Sequence, residues 1–315
     1  MKMTRREAIG VLAGARLFAK ASQPSTPVNF KVPPGACDCH THIFPDRTKF
    51  PFIAGRTYTP EQSLPEEMAA MHRALNVERV VIVTPSVYGT DNSATLYGMK
   101  VRGKSARGVA VIGEQTTENE LDAMALAGVR GIRVNFAHAG PTDPAIARAR
   151  LRAAFERVKN RNWHVQLYGT LPAIAALKDL VVDSPVPVVM DHFGGAQAAL
   201  GVKQPGFADV VELVRSGKAY VKVSAAYRCS ANGPDYRDVA PFAQALIAAN
   251  ADRVLWGTDW PHPDTTPPRA GTATDVSTML QIDDGRMLNQ LAVWAPDAAV
   301  RKKILVDNPA RLYGF

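Results

Sequence analysis

Residues 36–42 read Ala-Cys-Asp-Cys-His-Thr-His, and the rest of the chain is best read outward from this run. It is a short β-rich stretch that ends on two histidines two positions apart. Side chains alternate across a strand with period two, so His40 and His42 leave on one face and can enter one pocket. Seven further runs repeat the pattern: Arg79–Thr84, Gly108–Gly113, Arg130–Asn135, His164–Tyr168, Pro187–His192, Ala219–Ser224 and Val254–Asp259. Val, Ile and Leu dominate them and polar residues gather near their ends, which suits strands buried on both faces of a parallel sheet. Between them lie helix candidates at Pro65–Leu75, Glu118–Ala127, Pro144–Lys159, Pro172–Leu180, Phe207–Ser216 and Asp238–Ala249. Several open on proline, which the first helical turn tolerates. Eight strands alternating with helices predict an α/β fold, a (β/α)8 TIM barrel, over residues 36–315. An open doubly wound sheet is the alternative, but neither a GxGxxG after the first strand nor a Walker loop supports it.

A barrel of this kind keeps its chemistry at the carboxyl ends of its strands. Strand one ends on His40 and His42, strand five on Tyr168, strand six on Asp191 and His192, and strand eight on Asp259. Each alone is as well explained by packing. Together, three imidazoles and a carboxylate ending strands one, six and eight predict an active site.

At 315 residues, with 46% hydrophobic and 21% charged residues, the chain is no disordered, collagen-like or multi-span membrane protein. The formal net charge of +8 suggests nucleic acid until the charges are located. Lys2, Arg5, Arg6, Arg16 and Lys20, against Glu7, place half of it in residues 1–21. No long basic run with interleaved aromatics follows, so no nucleic-acid partner is expected. Residues 1–21 read as a twin-arginine signal peptide: Arg5 and Arg6 precede the apolar stretch Ala8 to Ala15, and Ala19-Lys20-Ala21 supplies a small-x-small cleavage pattern. Periplasmic export by the twin-arginine machinery is therefore expected, a cytoplasmic enzyme being the alternative, with 22–35 as an N-terminal linker. The stretch is too short to span a bilayer. Cys37, Cys39 and Cys229 cannot all pair within one chain and imply no disulfide framework; Cys39 reads as strand packing. No oligomeric state follows from these residues.

The strings PPGACDCHTHIF, GTDNSATL, RGIRVNF, VPVVMDHFGG, VLWGTDWPHP, the DDG at 283–285 and NPARLYGF, in this order from Pro33 to the C-terminus, carry a resemblance. They are similar to the lactonase branch of the amidohydrolase superfamily, the 2-pyrone-4,6-dicarboxylate lactonase and 4-sulfomuconolactone hydrolase family. The resemblance implies a distorted (β/α)8 barrel that hydrolyses a cyclic ester. It implies Asp259 as the general base that takes a proton from water and returns it to the leaving oxygen, with His40, His42 and His192 polarising the carbonyl. The dicarboxylate lactonases work without a divalent metal, so no cofactor is expected. One Zn²⁺ on His40, His42, His192 and Asp259 is the alternative, since the sulfomuconolactone hydrolases are regarded as zinc enzymes. Arg133 and Asn135 on strand four, and Tyr168 on strand five, stand where binuclear members place further metal ligands.

A small anionic lactone needs cationic anchors, and Arg133 and Arg228 are placed to supply guanidinium, with Ser86 and Tyr168 as hydroxyl donors. The family carries further arginines after strands four and six, where this chain has His138-Ala139 and Gly194-Gly195. That makes a lactone with fewer or differently placed anions, such as 4-sulfomuconolactone or a sugar-acid lactone, a competitor to 2-pyrone-4,6-dicarboxylate. The roles of His138 and of the loop 261–274 stay open. A metal-dependent decarboxylase of the same superfamily and a periplasmic binding protein are the competing classes.

Overall fold

The structure, a computed structural model, describes residues 21–136, 143–266 and 272–315. The twin-arginine stretch at Arg5-Arg6 and His138 lie outside them. Eight parallel strands form one sheet in sequential order: β1 (Cys37–Thr41), β2 (Arg79–Val83), β3 (Ala106–Ala110), β4 (Val129–Asn135), β5 (His164–Tyr168), β6 (Val188–Met190), β7 (Ala219–Ser224) and β8 (Val254–Gly257). The sheet closes on itself where the Asp259 amide donates to the His40 carbonyl at 2.8 Å and the His42 amide to the Trp260 carbonyl at 2.7 Å. The expected (β/α)8 barrel is thus formed, with helices packed outside it.

Local chemistry moves some boundaries. The third strand starts at Ala106 and stops at Ala110, not Gly113, because the Asn92 side chain takes both backbone groups of Val111 away from the ladder. The sixth stops at Met190, because His192 and Phe193 turn the chain with φ of 44° and 56°. The helix expected over Pro172–Leu180 is two, Leu171–Ala175 and Lys178–Val182, parted where Leu177 N–H closes a tight turn onto Ile174.

In β1 the pairing with β2 runs Asp38 to Val80 and then Thr41 to Ile82, so β1 spends three steps on two of its partner's. This bulge resets the alternation. Cys37 and Cys39 pack inside the barrel with Val81, Val109, Val189 and Leu255, and His40, within the bulge, and His42, after it, both reach Asp259. At the opposite end of the strands, Phe315 lies under the guanidinium groups of Arg79 and Arg107, and Tyr313 is buried against the same apolar plug. All three cysteines are free and buried.

Residues 22–35 contain no helix or strand but are tied down. Ser25 and Thr26 donate hydroxyls to the Asp283 carboxylate at 2.7 and 2.6 Å, while Asp283 caps the helix Asp284–Trp294 by accepting from Gly285 and Arg286 N–H. A Cβ at Gly285 would stand 1.9 Å from the Thr26 carbonyl oxygen, so only glycine admits the strap here. No helix among the described residues is long and apolar enough to cross a membrane.

Candidate active site

The carboxyl ends of β1, β6 and β8 bring together the four residues expected to carry the chemistry. Asp259 is fully buried, and its Oδ1 lies 3.5 Å from His40 Nε2, 3.3 Å from His42 Nε2 and 3.8 Å from His192 Nε2. Its Oδ2 accepts from the Tyr227 hydroxyl and the Arg228 Nε, both at 2.6 Å. Burial, the largest single influence, would raise the Asp259 carboxyl, but the Arg228 guanidinium together with the surrounding imidazoles outweighs it and holds the group well below the usual carboxylate range. The carboxylate is ionised at neutral pH.

Each imidazole is oriented by a bond at its other nitrogen. His42 Nδ1 donates to the Val83 carbonyl at 2.8 Å, since that oxygen can only accept. His192 Nδ1 meets the Ser224 hydroxyl at 2.9 Å. His40 Nδ1 faces Lys222 Nζ at 3.1 Å. Burial lowers the pKa of His192 to about 4 and, helped by the Lys222 charge, holds His40 well below its ordinary value, so both rings are neutral at pH 7. Behind them, Asp38 accepts from the His40 and Thr258 amides, the Thr258 hydroxyl and His72, locking β1 to the loop that carries Asp259.

Backbone strain gathers at this face. Asp259, His192, Ala225 and His262 adopt φ of 66°, 44°, 52° and 63°, a region that residues with a Cβ rarely occupy and that functional sites concentrate.

The four residues expected to hold substrate also lie here. Arg228 sits in a short helix, Ala226–Cys229, directly on Asp259. Arg133 donates through Nε to Asp191 at 3.1 Å and lies over the Tyr168 ring at 4.4 Å; Tyr168 in turn stands edge-on to His192. Ser86, in the turn after β2, hydrogen-bonds the buried Tyr58 hydroxyl, whose pKa burial pushes up to about 12. A cavity of about 390 Å³ opens beside Tyr168 and Arg228, walled by Leu171, Pro172, Gly195 and Leu200.

Sequence reading missed Tyr58, Tyr227, Gln166 and Lys222. Tyr58 lies in a connecting segment without periodicity, and Tyr227 beside Arg228 had no spacing to mark it. Lys222 was visible as an ionisable residue in the middle of an apolar strand, a signal that calls for a partner.

Comparison with known proteins gives this geometry its context. A family model described as amidohydrolase matches residues 37–315. The chain belongs to the amidohydrolase family. Amidohydrolase relatives include the 4-sulfomuconolactone hydrolase of Rhizobium radiobacter, 36% identical over 92% of this chain and 93% of that one. The 2-pyrone-4,6-dicarboxylate hydrolase of Comamonas testosteroni is 35% identical over 93% of this chain and 94% of that one. A ligand-free crystal structure from Agrobacterium tumefaciens superposes with a TM-score of 0.76 at 26% identity, covering 91% of this chain and 98% of that one.

By type, the donor set here fits a divalent cation. Among the described residues, His40, His42 and Asp259 form one buried group of ligand atoms and His40, Asp191 and His192 another. His40 Nε2 and Asp259 Oδ1 are buried without a hydrogen-bond partner, as atoms reserved for a cation, a water or a substrate oxygen would be.

Proposed function

We propose that this chain hydrolyses a small anionic lactone, with Asp259 as general base. The observation that carries this reading is the convergence of three imidazole Nε2 atoms on one buried carboxylate oxygen that accepts no hydrogen bond. A water beside Asp259 Oδ1 gives up its proton to that oxygen as its own oxygen adds to the lactone carbonyl. The developing oxyanion accepts hydrogen bonds from imidazole N–H groups. His40 and His192 can supply them from Nε2, whereas a neutral His42 has committed its hydrogen to Val83. The ring C–O bond then breaks, and Asp259 returns its proton to the leaving oxygen. Held by His40, His42, His192 and Asp259, a divalent cation supplies Lewis acidity toward the carbonyl; the route through the chain's own residues needs none.

Substrate anions fall to Arg133 and Arg228, with Ser86 and Tyr168 donating beside them. The lactonases it resembles carry a further arginine after the strand-six histidine, and this backbone has no room for one. A Cβ at Gly195 would lie 2.5 Å from the Gly169 carbonyl oxygen, and Gly194 has φ of 65° with a Cβ position 2.9 Å from Val210. A lactone with one cluster of negative charge therefore suits the site better than a dicarboxylate. Hydrolysis of 4-sulfomuconolactone, 2-pyrone-4,6-dicarboxylate and sugar-acid lactones, before and after exhaustive chelation, tests substrate and metal together. Asp259→Asn should keep the fold and lose about 10²–10⁴-fold in turnover. Unimpaired turnover in the folded variant would overturn the assignment. We further propose export through the twin-arginine route, supported by Arg5, Arg6 and the Ala19–Ala21 pattern; intact-mass measurement of periplasmic protein retaining Met1 would refute cleavage.

A further inference from the structure

An apolar space adjoins the reacting groups without containing them. The cavity of about 390 Å³ lies between the turns that follow β5, β6 and β7, and its size is that of a small-molecule pocket, roughly 300–1,000 Å³. Leu171, Pro172, Leu200 and Pro205 wall it, and among the described residues that line it Arg228 carries the one charge. Arg228 is also the residue whose Nε contacts Asp259, and Tyr168, on the same lining, stands edge-on to His192 with ring centroids 5.6 Å apart. A molecule held against the buried carboxylate and imidazoles therefore has this space beside it.

The loop that forms one wall is held in shape by its own side chains. Gln204 is buried and spends its amide inside the loop, accepting from the Gln197 N–H at 3.0 Å and donating to the Gln197 and Gly201 carbonyls at 2.9 and 2.8 Å. Gln197 in turn donates to the Arg228 carbonyl at 3.3 Å, tying the loop to the residue that holds Asp259. Within this closed loop Leu200 is 67% exposed, an apolar side chain presented at the cavity and not packed in the core. A lone surface leucine needs no explanation, but this one completes a wall whose other members are Leu171, Pro172 and Pro205.

We propose that this cavity is a subsite for an apolar substituent of the substrate. The lactone taken carries its negative charge toward Arg133 and Arg228, and an alkyl or aryl group fills the space walled by Leu171, Pro172 and Leu200. Leu200 then determines specificity and takes no part in the chemistry. That the occupant belongs to a lactone rests on the lactonase reading; the apolar subsite rests on the cavity and its loop.

Calorimetric titration of the full chain with toluenesulfonate and its ethyl, propyl and butyl homologues reads the subsite without turnover, since the anion stays the same while the tail grows. Affinity should rise with each added methylene, toward the limit of about fourfold that full burial of a CH₂ gives. Leu200→Gln should flatten that rise, and at so exposed a position the substitution should leave the fold intact. An affinity independent of the tail, or an unchanged slope in Leu200→Gln, would overturn the proposal. If that variant also changed oligomeric mass, Leu200 would belong to a contact between copies of the chain instead. Lactones graded in the same tail should show kcat/KM rising in parallel, and a flat series in an enzyme that opens the shortest member would overturn the proposal as well. Rising sulfonate affinity without turnover of any lactone would refute the lactonase reading and leave the subsite standing.

Discussion

Arg228 does two jobs that pull against each other. Its guanidinium keeps Asp259 ionised through Nε, while its remaining nitrogens reach Thr265 Oγ1 at 3.3 Å and the Pro263 carbonyl at 3.5 Å, facing the mouth of the site. The mechanism proposed here requires Asp259 in its ionised form, so activity is expected to fall as pH drops through the Asp259 pKa, which Arg228 depresses. Arg228→Gln removes the largest lowering influence, and the acid limb of kcat/KM should move to higher pH, with KM for an anionic substrate rising as well. An unmoved limb in a folded variant would show that Arg228 serves substrate alone. At this scale the sequence was informative where chemistry coincided with a strand end: His40, His42, His192 and Asp259 could be named because a parallel barrel leaves few other places for them. Gln166 could not, because a polar residue inside a strand reads equally well as an outward-facing one until its neighbours are known, and Lys222, though visible as a charge inside an apolar strand, had no partner that spacing could name.

The elements follow their apolar runs, and their ends follow single polar side chains. Asn92 ends β3, left-handed His192 and Phe193 end β6, and an extra residue in β1 lets cysteines and histidines share the interior. None of these is periodic, so none could be read from spacing. Asp283 shows how much one such side chain carries, since it caps the helix Asp284–Trp294 and holds the 22–35 strap through Ser25 and Thr26. Asp283→Ala removes both at once and should cost about 1–2 kcal/mol for the cap, with the strap released to proteolysis. Chemical denaturation and limited digestion check this; a variant with wild-type stability and an uncut strap would assign the order of 22–35 to its apolar contacts instead. The adjacent Asp284 is committed elsewhere, to His262 at 3.1 Å, which gives each residue of the DDG string its own structural duty.

Taken as a whole, the molecule carries a cost at low pH. His164, whose Nδ1 donates to the Arg130 carbonyl, and His192 are held neutral mainly by burial, with pKa values of about 3 and about 4. The unfolded chain protonates both near 6.5. Between those values the unfolded state binds more protons, so stability is full above about pH 6.5 and is lost as pH falls toward the folded values. Each histidine contributes up to about 1.4 kcal/mol per pH unit of that window. Tm should therefore fall by several degrees between pH 7.5 and pH 5, and a flat profile would show that these imidazoles are hydrated in the fold.

The closing seam of the barrel runs through the residues proposed to be catalytic, the Asp259 amide on the His40 carbonyl and the His42 amide on that of Trp260. Separating the base from its imidazoles thus requires unzipping the cylinder. Hydrogen exchange at the Asp259 amide should report global opening, with protection matching the slowest amides of the inner strands. In a denaturant series, residual turnover would then trace the same curve as tertiary structure, and the reaction itself would gauge the integrity of the ring.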